Sequence, residues 1–588
     1  RCTIIVLPFL FLILSQNILN MKKITLSFLM LCATASALLA QTPVRFKNEV
    51  FTDAQIQVQT GIKFATNFNW LIINQSDLTS LVNQTQVYNE IVQLKTLLAT
   101  KKAIPTKYYL PKAAPGGDST ILKVTDLKMD AYMPNPSIDN MAKRPIIIYL
   151  HTGDFLPPGI NGSPCGDKGD SSVVEICKGF ARRGFIAIAI DYRLGWNPIA
   201  TTEQERRGTL LNAVYRSIHD TKECVRVIKA LEAQGNPYKF DASKIALFGE
   251  GTGGYIASAY STLDKYAEIE LPKFINPLSG KSYIDTSKVG YLDGTKGALN
   301  LYFPSATDTK VQVTANIGGA LADSSWLEAG DAPVISMHCV RDPFAPFNNG
   351  TVIVPTTNED VVEVQGANIA VKRAQRLGNN AIFATIPNGD PYTIKARSLY
   401  NKTVDYLYPA PDDKITINNG EGMYPVLLPK GPAILYNQAS PWQWWDSTTA
   451  AATRVVAAPS TTAHMASKAS NPDMSKSKSK RYQDTIHGYI TPRIALAMGL
   501  LTANDLSVKS AKVTGVTIYP NPAQNTLTVR YKGAINAITI TDLSGKVVFT
   551  TEVSGNSYTI PSLNLTKGMY IVNVATEAGL ANEKLMIK

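Results

Sequence analysis

The chain has 588 residues and a formal net charge of +12, from 58 Lys and Arg against 46 Asp and Glu. Its 45% hydrophobic and 18% charged residues are typical of a globular protein and exclude a disordered one, and the length predicts about two or three domains. The positive charge is spread along the chain, without an Arg-rich helix or a basic-aromatic stripe, so nucleic-acid binding is not expected.

The beginning of the sequence is typical of an export segment. Residues 1–20 start with Arg and are predicted to be translated sequence upstream of a start at Met21. A positively charged start, an apolar run and a small-residue end then predict a signal peptide over 21–40, cut before Gln41. No later stretch reaches the roughly 18 apolar residues that span a bilayer, so an exported protein without a transmembrane segment is expected.

Cysteine usage suggests one disulfide and no metal site. Of the six cysteines, four follow the signal peptide: Cys165, Cys177, Cys224 and Cys339. An oxidising destination permits disulfides, and Cys165–Cys177 is the most plausible pair because both residues flank one loop. The spacings do not resemble a zinc site, and no motif indicates a metal or another cofactor.

Residues 41–505 are expected to form the main domain. Alternating apolar and polar residues predict antiparallel strands over Gln41–Asn69, and a helical pattern follows over Ser76–Lys101. The run Pro145–Leu150 is continuously apolar, as expected of a strand that is buried on both faces of a parallel sheet. From there strands and helices alternate through Phe248, which predicts an α/β sheet with right-handed crossovers.

Three later segments complete this domain. Residues 263–309 break the alternation and are predicted to form a cap insertion over the sheet edge. Residues 450–481 are rich in Ala, Ser, Thr and Lys and are predicted to form a flexible loop. Thr485–Leu501 is predicted to form a closing helix, kinked or begun at Pro492.

The composition changes from Val513 onwards. Short alternating strands separated by turn residues predict a small all-β sandwich over 513–588. Three motifs within it, YPNP at 519–522, DLSGK at 542–546 and LTKGMY at 565–570, resemble the type A sorting domain of the type IX secretion system. The resemblance implies the type IX secretion machinery as a partner. It also implies passage through the periplasm of a Gram-negative bacterium, followed by secretion or attachment at the cell surface.

The main domain carries three motifs in a fixed order. HTGDF at 151–155 follows the apolar strand, DYRL lies at 191–194, and DASKIALFGEGTGG at 241–254 ends in a glycine turn. These motifs resemble the α/β-hydrolase superfamily, in particular its carboxylesterase/lipase branch. The resemblance implies an α/β-hydrolase fold with a mostly parallel sheet, and hydrolysis of carboxylic esters.

The glycine turn departs from the family pattern at the residue that matters most. The family has G-x-S-x-G, with the serine as nucleophile, whereas this chain has G-E-G-T-G, with Gly251 at the serine position. Glycine has no oxygen to attack a carbonyl carbon, so serine catalysis at Gly251 is excluded. Thr252 comes one residue later, about a quarter turn of helix or more away.

The other catalytic positions follow from the resemblance. The oxyanion hole would consist of the backbone N–H groups of Gly153, Asp154 and Thr252, while Thr152 replaces a family glycine. Asp342, in the turn after a predicted core strand, would be the acid that orients a histidine.

Candidates for the catalytic base are few. The chain has five histidines, and only His464 and His487 follow Asp342, as the family order requires. His464 lies in the predicted loop and could swing over a site. His487 begins an apolar helix, where a core histidine is an equally simple interpretation.

Two further features bear on ligands. Trp442, Trp444 and Trp445 are three of the six tryptophans, and they would either line a ligand cleft or anchor the following loop to the core. Glu250, beside the missing serine, could hold a water, although the family also has Glu at this position.

Three interpretations of the function stay open. In the first, the protein is an exported esterase that acts through Thr252, or through water activated by Asp342 with a histidine. In the second, it is catalytically inactive and binds a polymer or hydrophobic ligand, such as an ester, a lipid or a polysaccharide-linked group, at the cell surface. In the third, Gly251 is a lesion in one copy of an active esterase. The residue chemistry favours the second.

Overall fold

The computed structural model describes residues 44–354, 359–405, 414–428, 438–456, 458–506, 515–542, 547–576 and 579–588. The chain divides into two compact units, one formed by Pro43–Ser507 and one that contains Val508–Lys588. The predicted upstream segment and signal peptide, residues 1–40, lie outside the described residues. No helix in the described ranges is both long and apolar enough to cross a bilayer.

The first unit alternates strands and helices. Its described strands are β1 Ile56–Phe68, β2 Val124–Pro134, β3 Arg144–Leu150, β4 Ile186–Ile190, β5 Phe240–Glu250, β6 Ile275–Asn276, β7 Lys281–Ser282, β8 Val313–Ile317, β9 Val334–Cys339, β10 Asn349–Ile353, β11 Asp360–Gln365, β12 Thr403–Asp405, β13 Lys414–Thr416, β14 Met423–Val426, β15 Arg454–Val455 and β16 Ala458–Thr462. Its described α-helices are α1 Gln75–Thr79, α2 Gln84–Ala99, α3 Ser171–Arg182, α4 Glu203–Ala233, α5 Thr252–Tyr260, α6 Thr286–Val289, α7 Ala367–Arg376, α8 Ala381–Ala384, α9 Pro391–Leu399, α10 Ser447–Ala452, α11 Ala463–Lys468, α12 Lys476–Ala497 and α13 Ala503–Leu506.

A mostly parallel sheet of eight strands forms the centre of this unit, in the order β1-β2-β4-β3-β5-β8-β9-β14. β1 and β2 are antiparallel, as are β2 and β4, whereas every neighbouring pair from β4 to β14 is parallel. Every residue of β3 is buried, as expected of a strand covered on both faces. The predicted α/β fold with a mostly parallel sheet is confirmed.

The segment 263–309 contains little regular structure. It has 3₁₀ turns at Tyr266–Glu270 and Pro272–Phe274, the short pair β6–β7 and the single turn α6. Several of its apolar side chains are buried in the same core as the central sheet: Leu263, Ile269, Phe274, Ile284 and Val289. The segment is therefore packed onto the sheet unit by its apolar residues.

The loop predicted over 450–481 is wrong in its secondary structure. This range contains the second half of α10, the hairpin β15–β16, α11 and the start of α12. The Ser475 side chain caps α12 by accepting from the backbone N–H of Lys478. The buried Lys478 ammonium donates to Asn471 Oδ1 at 2.7 Å and forms an ion pair with Asp473. The polar composition, which suggested a loop, instead supplies caps and buried polar contacts. The closing helix α12 begins earlier than predicted and runs through Pro492.

The predicted Cys165–Cys177 disulfide does not form. All four described cysteines are free and buried. Cys177 lies on α3 in the main core, whereas Cys165 belongs to a smaller cluster with Trp445. The two thiols flank one loop, but they pack into different clusters.

The second unit is antiparallel β throughout its described part. Its strands are β17 Thr517–Tyr519, β18 Leu527–Asp542, β19 Val547–Ile560, β20 Gly568–Thr576 and β21 Gly579–Ile587. The first part of β18 pairs with β17 and its last part with β20, while β19 pairs along both parts. Buried apolar residues from β18 to β21 form one core, so the predicted all-β C-terminal domain is confirmed.

A buried ion pair joins the end of β4 to α4. Arg193 Nε lies 2.8 Å from Asp220 Oδ1, and both side chains are fully buried. Asp220 also accepts from the backbone N–H of Arg193 at 2.7 Å and from the Tyr302 hydroxyl at 2.6 Å. This carboxylate therefore ties together three segments that are distant in the sequence.

We expect Asp220→Asn to lower the free energy of unfolding by about 3–5 kcal/mol, because it leaves the Arg193 charge buried without a counter-charge. Urea unfolding measures this loss. The matched variant Tyr302→Phe removes one hydrogen bond and keeps the ion pair, so its cost should be only about 1 kcal/mol. Equal losses of unfolding free energy for the two variants would contradict the assignment of Asp220 as the counter-charge of Arg193.

Candidate functional site

A sharp turn at Gly251 joins β5 directly to α5. Its backbone has φ 52° and ψ −115°, a conformation that a residue with a side chain adopts only under strain. The Gly251 N–H donates to the Ile317 carbonyl oxygen at 2.9 Å, and the Gly251 carbonyl oxygen accepts from Gly254 N at 2.9 Å. The strand, turn and helix of a nucleophile elbow are thus in place, with no side chain at the tip.

The side chain of Thr152 fills the space in front of this turn. A Cβ placed on Gly251 would overlap with Thr152 Oγ1 and would lie only 3.0 Å from Thr152 Cβ. Both residues depart from the pattern of the family that the sequence resembles, with Thr152 replacing a glycine and Gly251 a serine. The structure places these two departures in direct contact.

The loop that follows Thr152 has an unusual backbone. Gly153, Asp154 and Phe155 have φ values of 123°, 54° and 55°. A side chain at Gly153 could not fit, because its Cβ would lie 2.5 Å from the Cα of Gly166. The Asp154 carbonyl oxygen accepts from Trp196 Nε1 at 2.6 Å, and this hydrogen bond helps to hold the loop in place.

A cavity lies in front of Gly251. Most of its walls are apolar, and they come from α4, the segment 263–309 and the β10–β11 hairpin: Leu210, Leu211, Val214, Ile218, Leu263, Ile269, Phe274, Ile284, Val352, Val362 and Val364. Trp196 and Trp326 also line it. Polar side chains are few and include Thr152, Asp154, Thr252, Tyr255, Asp342 and Ser440.

Asp342 lies in the turn after β9 and lines this cavity. Its Oδ1 accepts from the backbone N–H groups of Phe344 at 2.8 Å and Ala345 at 2.9 Å. Its Oδ2 lies 3.6 Å from His338 Nε2, but that nitrogen lies 3.0 Å from the Ala345 carbonyl oxygen and donates there. Among the described residues, Asp342 Oδ2 has no hydrogen-bond partner.

The two predicted bases lie elsewhere. His464 is on α11, where its Nδ1 accepts from Trp445 Nε1 at 3.1 Å. His487 is on α12, packed edge-on against Phe180 of α3, and burial lowers its pKa well below the usual value. Neither histidine is among the residues that line the cavity. The structure therefore does not bring His464 or His487 together with Asp342.

The segment after β14 reaches the cavity instead. Ala439 and Ser440 line it beside Gly251 and Asp342, and residues 427–446 contain no histidine. A base on this segment would be well placed to meet Asp342, because parallel strands bring their carboxyl ends to one edge of the sheet. The absence of His from 427–446 was a sequence signal that could have been used.

Glu250 ties this segment to the elbow. Its buried carboxylate accepts from the Tyr149 hydroxyl at 2.6 Å, from Trp442 Nε1 at 2.8 Å and from Gln443 Nε2 at 2.8 Å. Burial raises the pKa of Glu250 above its usual value, and these hydrogen bonds offset part of that rise. Three donors already occupy the two oxygens, so Glu250 acts as an anchor rather than as the water-holding group considered from the sequence.

The three tryptophans lie in different surroundings. Trp442 is fully buried and bonded to Glu250, so its assignment to a ligand cleft is wrong. Lys476 lies over the Trp444 ring, with its Nζ 4.9 Å from the ring centre. Trp445 lines a second, more open cleft together with Gly153 and Asp154.

Two carboxylates share the polar end of the cavity. Burial, and then the charge of Asp342, raise the pKa of Asp154 to about 6. Burial followed by the charges of Asp342 and Asp154 also raises the pKa of Tyr255. Among the residues that the structure describes, no Lys, Arg or His lines the cavity. Sequence reasoning missed Tyr255 and Ser440, which no motif marks.

Comparisons with known proteins agree with this architecture. Residues 129–352 match the family model described as BD-FAE, and residues 517–588 match the Secretion system C-terminal sorting domain. No curated protein sequence matches the chain.

Several solved structures are similar to part of the chain. Esterase Est2 of Thermogutta terrifontis with bound propionate is 16% identical, with 43% of this chain and 76% of that chain covered and a TM-score of 0.27. The same esterase phosphorylated by paraoxon is 18% identical, with 43% and 75% covered and a TM-score of 0.26. MGS-M1, an α/β-hydrolase from a Medee basin deep-sea metagenome library, is 12% identical, with 37% and 66% covered and a TM-score of 0.22.

The fold and the matched family models define the class of this protein. Residues 129–352 belong to an esterase-like α/β-hydrolase domain, and residues 517–588 form a C-terminal secretion sorting domain. The sorting domain indicates transport by the type IX secretion machinery to the cell surface or beyond.

The contact between Thr152 and Gly251 can be tested by a double-mutant cycle. We expect Gly251→Ala to lower the free energy of unfolding by about 1–3 kcal/mol, through the overlap with Thr152 and the strained backbone. In a Thr152→Gly background the cost should be smaller, because only the backbone strain remains. Urea unfolding of the unmodified protein, the two single variants and the double variant measures the coupling energy between Thr152 and Gly251. A cost that is the same in both backgrounds would show that Thr152 does not limit this position.

The raised pKa of Asp154 predicts a pH-dependent stability. Its pKa of about 6 in the folded protein exceeds the value of about 3.9 in an unfolded chain, so the ionised carboxylate disfavours the folded state above about pH 6. Asp154→Asn should therefore raise the free energy of unfolding at pH 8 and change it far less at pH 4. Asparagine also tolerates the positive φ at this position. Urea unfolding at both pH values measures the difference, and equal effects would argue against a raised pKa.

Proposed function

We propose that this protein is an exported esterase-like α/β-hydrolase that has lost serine catalysis and binds an apolar ligand in the cavity in front of Gly251. One observation carries the proposal. The elbow keeps its strained backbone geometry, but no nucleophile stands at its tip, and the Thr152 side chain occupies the space that a serine Cβ would need.

The remaining catalytic positions support loss of activity. Asp342 fits the position of the acid, yet no histidine lines the cavity and Ser440 stands on the segment that could have supplied one. Removing the nucleophile or the base of a triad costs about a million-fold in turnover in the best-studied case. A site that lacks both is not expected to hydrolyse esters at a useful rate.

The cavity itself supports binding. Ligand sites are mostly concave and apolar, with a few polar groups that fix orientation, and this cavity has apolar walls with polar side chains beside Gly251. At the cell surface or outside the cell, suitable ligands are esters, lipids or apolar groups linked to a polysaccharide.

The other two interpretations have less support. A surrogate nucleophile at Thr252, or a water, would need a base. The Tyr192 hydroxyl interacts with the Thr252 side chain, but burial raises the pKa of Tyr192. A recent lesion at Gly251 in an active enzyme would leave the serine's space open, whereas Thr152 fills it.

Activity assays test the loss of catalysis. We expect the unmodified protein to give no turnover of p-nitrophenyl butyrate above buffer and no labelling by a fluorophosphonate probe. Thr152→Gly/Gly251→Ser should restore space and nucleophile without a base, and adding Ser440→His to that pair should allow labelling and slow turnover. The pair without the histidine is the matched control. Probe-sensitive turnover at about 1–10³ s⁻¹ by the unmodified protein, as in ordinary enzymes, would overturn the proposal.

A binding assay tests the other half of the proposal. Octanol should bind with an affinity that falls when Val214→Phe fills the cavity, and isothermal titration calorimetry measures it. Leu278→Phe adds the same ring at a position that is 86% exposed, so it should leave the affinity unchanged.

A further inference from the structure

The acid of the former triad presents an unused hydrogen-bond acceptor. The Asp342 side chain is only 1% exposed, and its Oδ1 is bound by two backbone N–H groups of the following turn. Its Oδ2 is buried and has no hydrogen-bond partner among the described residues. A buried carboxylate oxygen without a donor is costly, and native structures usually satisfy such groups.

A second carboxylate stands near the first. Asp154 lines the same cavity as Asp342, and the charge of Asp342 helps to raise its pKa. None of the described lining residues is Lys, Arg or His, so the described part of the cavity wall supplies no positive charge to either carboxylate. His338, the one described histidine in an ion-pair contact with Asp342, donates its Nε2 proton to Ala345.

The role of the acid in a catalytic triad suggests which class of ligand would bind beside Asp342. In a working triad the carboxylate accepts an imidazole N–H and stabilises the cation that forms on it. This cavity keeps such a carboxylate, but no imidazole lines it. A ligand that brings its own charged N–H donor would fill the vacant role.

We propose that the cavity selects ligands with an apolar body and a protonated amine head, whose ammonium pairs with the carboxylates of Asp342 and Asp154, both of which line the cavity. The inference rests on the proposed binding function and adds the chemical class of the ligand. The apolar walls hold the hydrocarbon body, while the charged head lies beside Thr152, Thr252 and the Tyr255 hydroxyl.

The two carboxylates also disfavour the binding of a carboxylic acid, the usual product of ester hydrolysis. A carboxylate head would meet two like charges at the polar end of a cavity with mostly apolar walls, where charges interact strongly. A fatty acid should therefore bind more weakly than an amine or an alcohol of equal chain length.

Three probes of equal length test this selection. We expect isothermal titration calorimetry at pH 8 to give the affinity order octylammonium, then octanol, then octanoate. Asp342→Asn should weaken octylammonium by about ten- to a hundred-fold, the worth of a hydrogen bond to a charged group, and change octanol by no more than about twofold. Glu270→Gln is the matched control, because Glu270 is an exposed acid of the segment 263–309 and does not line the cavity.

A second variant and a pH series keep the test independent of one substitution. Asp154→Asn should also weaken octylammonium, and the affinity of the unmodified protein should fall from pH 8 to pH 5 as Asp154 gains a proton. Octylammonium stays protonated over this range, like a lysine side chain. Equal affinity for the three heads, or no effect of Asp342→Asn and Asp154→Asn, would overturn the amine selection while octanol binding still supports the cavity as a binding site. Failure of octylammonium to bind the folded protein would also overturn it.

Discussion

The buried carboxylate of Glu250 is the interaction on which the site geometry depends. It collects hydrogen bonds from Tyr149 on β3 and from Trp442 and Gln443 on the segment after β14. A buried charge is stable only when its hydrogen bonds are made. Glu250 therefore holds β5, its turn and the opposite wall of the cavity together, whether or not a nucleophile is present. This explains how the elbow keeps its shape without the residue that the shape usually serves.

The site keeps the strand, turn and helix of a nucleophile elbow, but the residues around the turn differ from those of the family pattern. The parallel pairing of β3 with β5 brings the loop after β3 against the turn after β5, and Thr152 occupies the volume beside Gly251. Asp342 lines a cavity with mostly apolar walls, its Oδ2 has no hydrogen-bond partner among the described residues, and neither His464 nor His487 lines the cavity. Preorganised acceptors of this kind serve binding as well as catalysis, because in both cases the protein has already met the cost of orienting them.

The sequence predicted well what is local and poorly what depends on distant contacts. A buried strand followed by glycines predicts a sharp turn from neighbouring residues alone, and Asp342 lies in a recognisable turn after a core strand. The contact of Thr152 with Gly251 depends on strand pairing, although each residue stood out separately as a departure from the family pattern. Segment 450–481 was mistaken for a loop because its polar residues, such as Lys478, make buried contacts that composition does not show. Trp442 was misplaced because its partner, Glu250, is distant in the sequence.

The close fit between Thr152 and Gly251 has an evolutionary consequence. A serine at position 251 alone would overlap with Thr152, and a change of Thr152 alone would gain no nucleophile, so neither single change restores a usable site. Sequences that descend from this one should keep or lose the pair together, which makes the joint state of these two positions a marker for the proposed loss of catalysis.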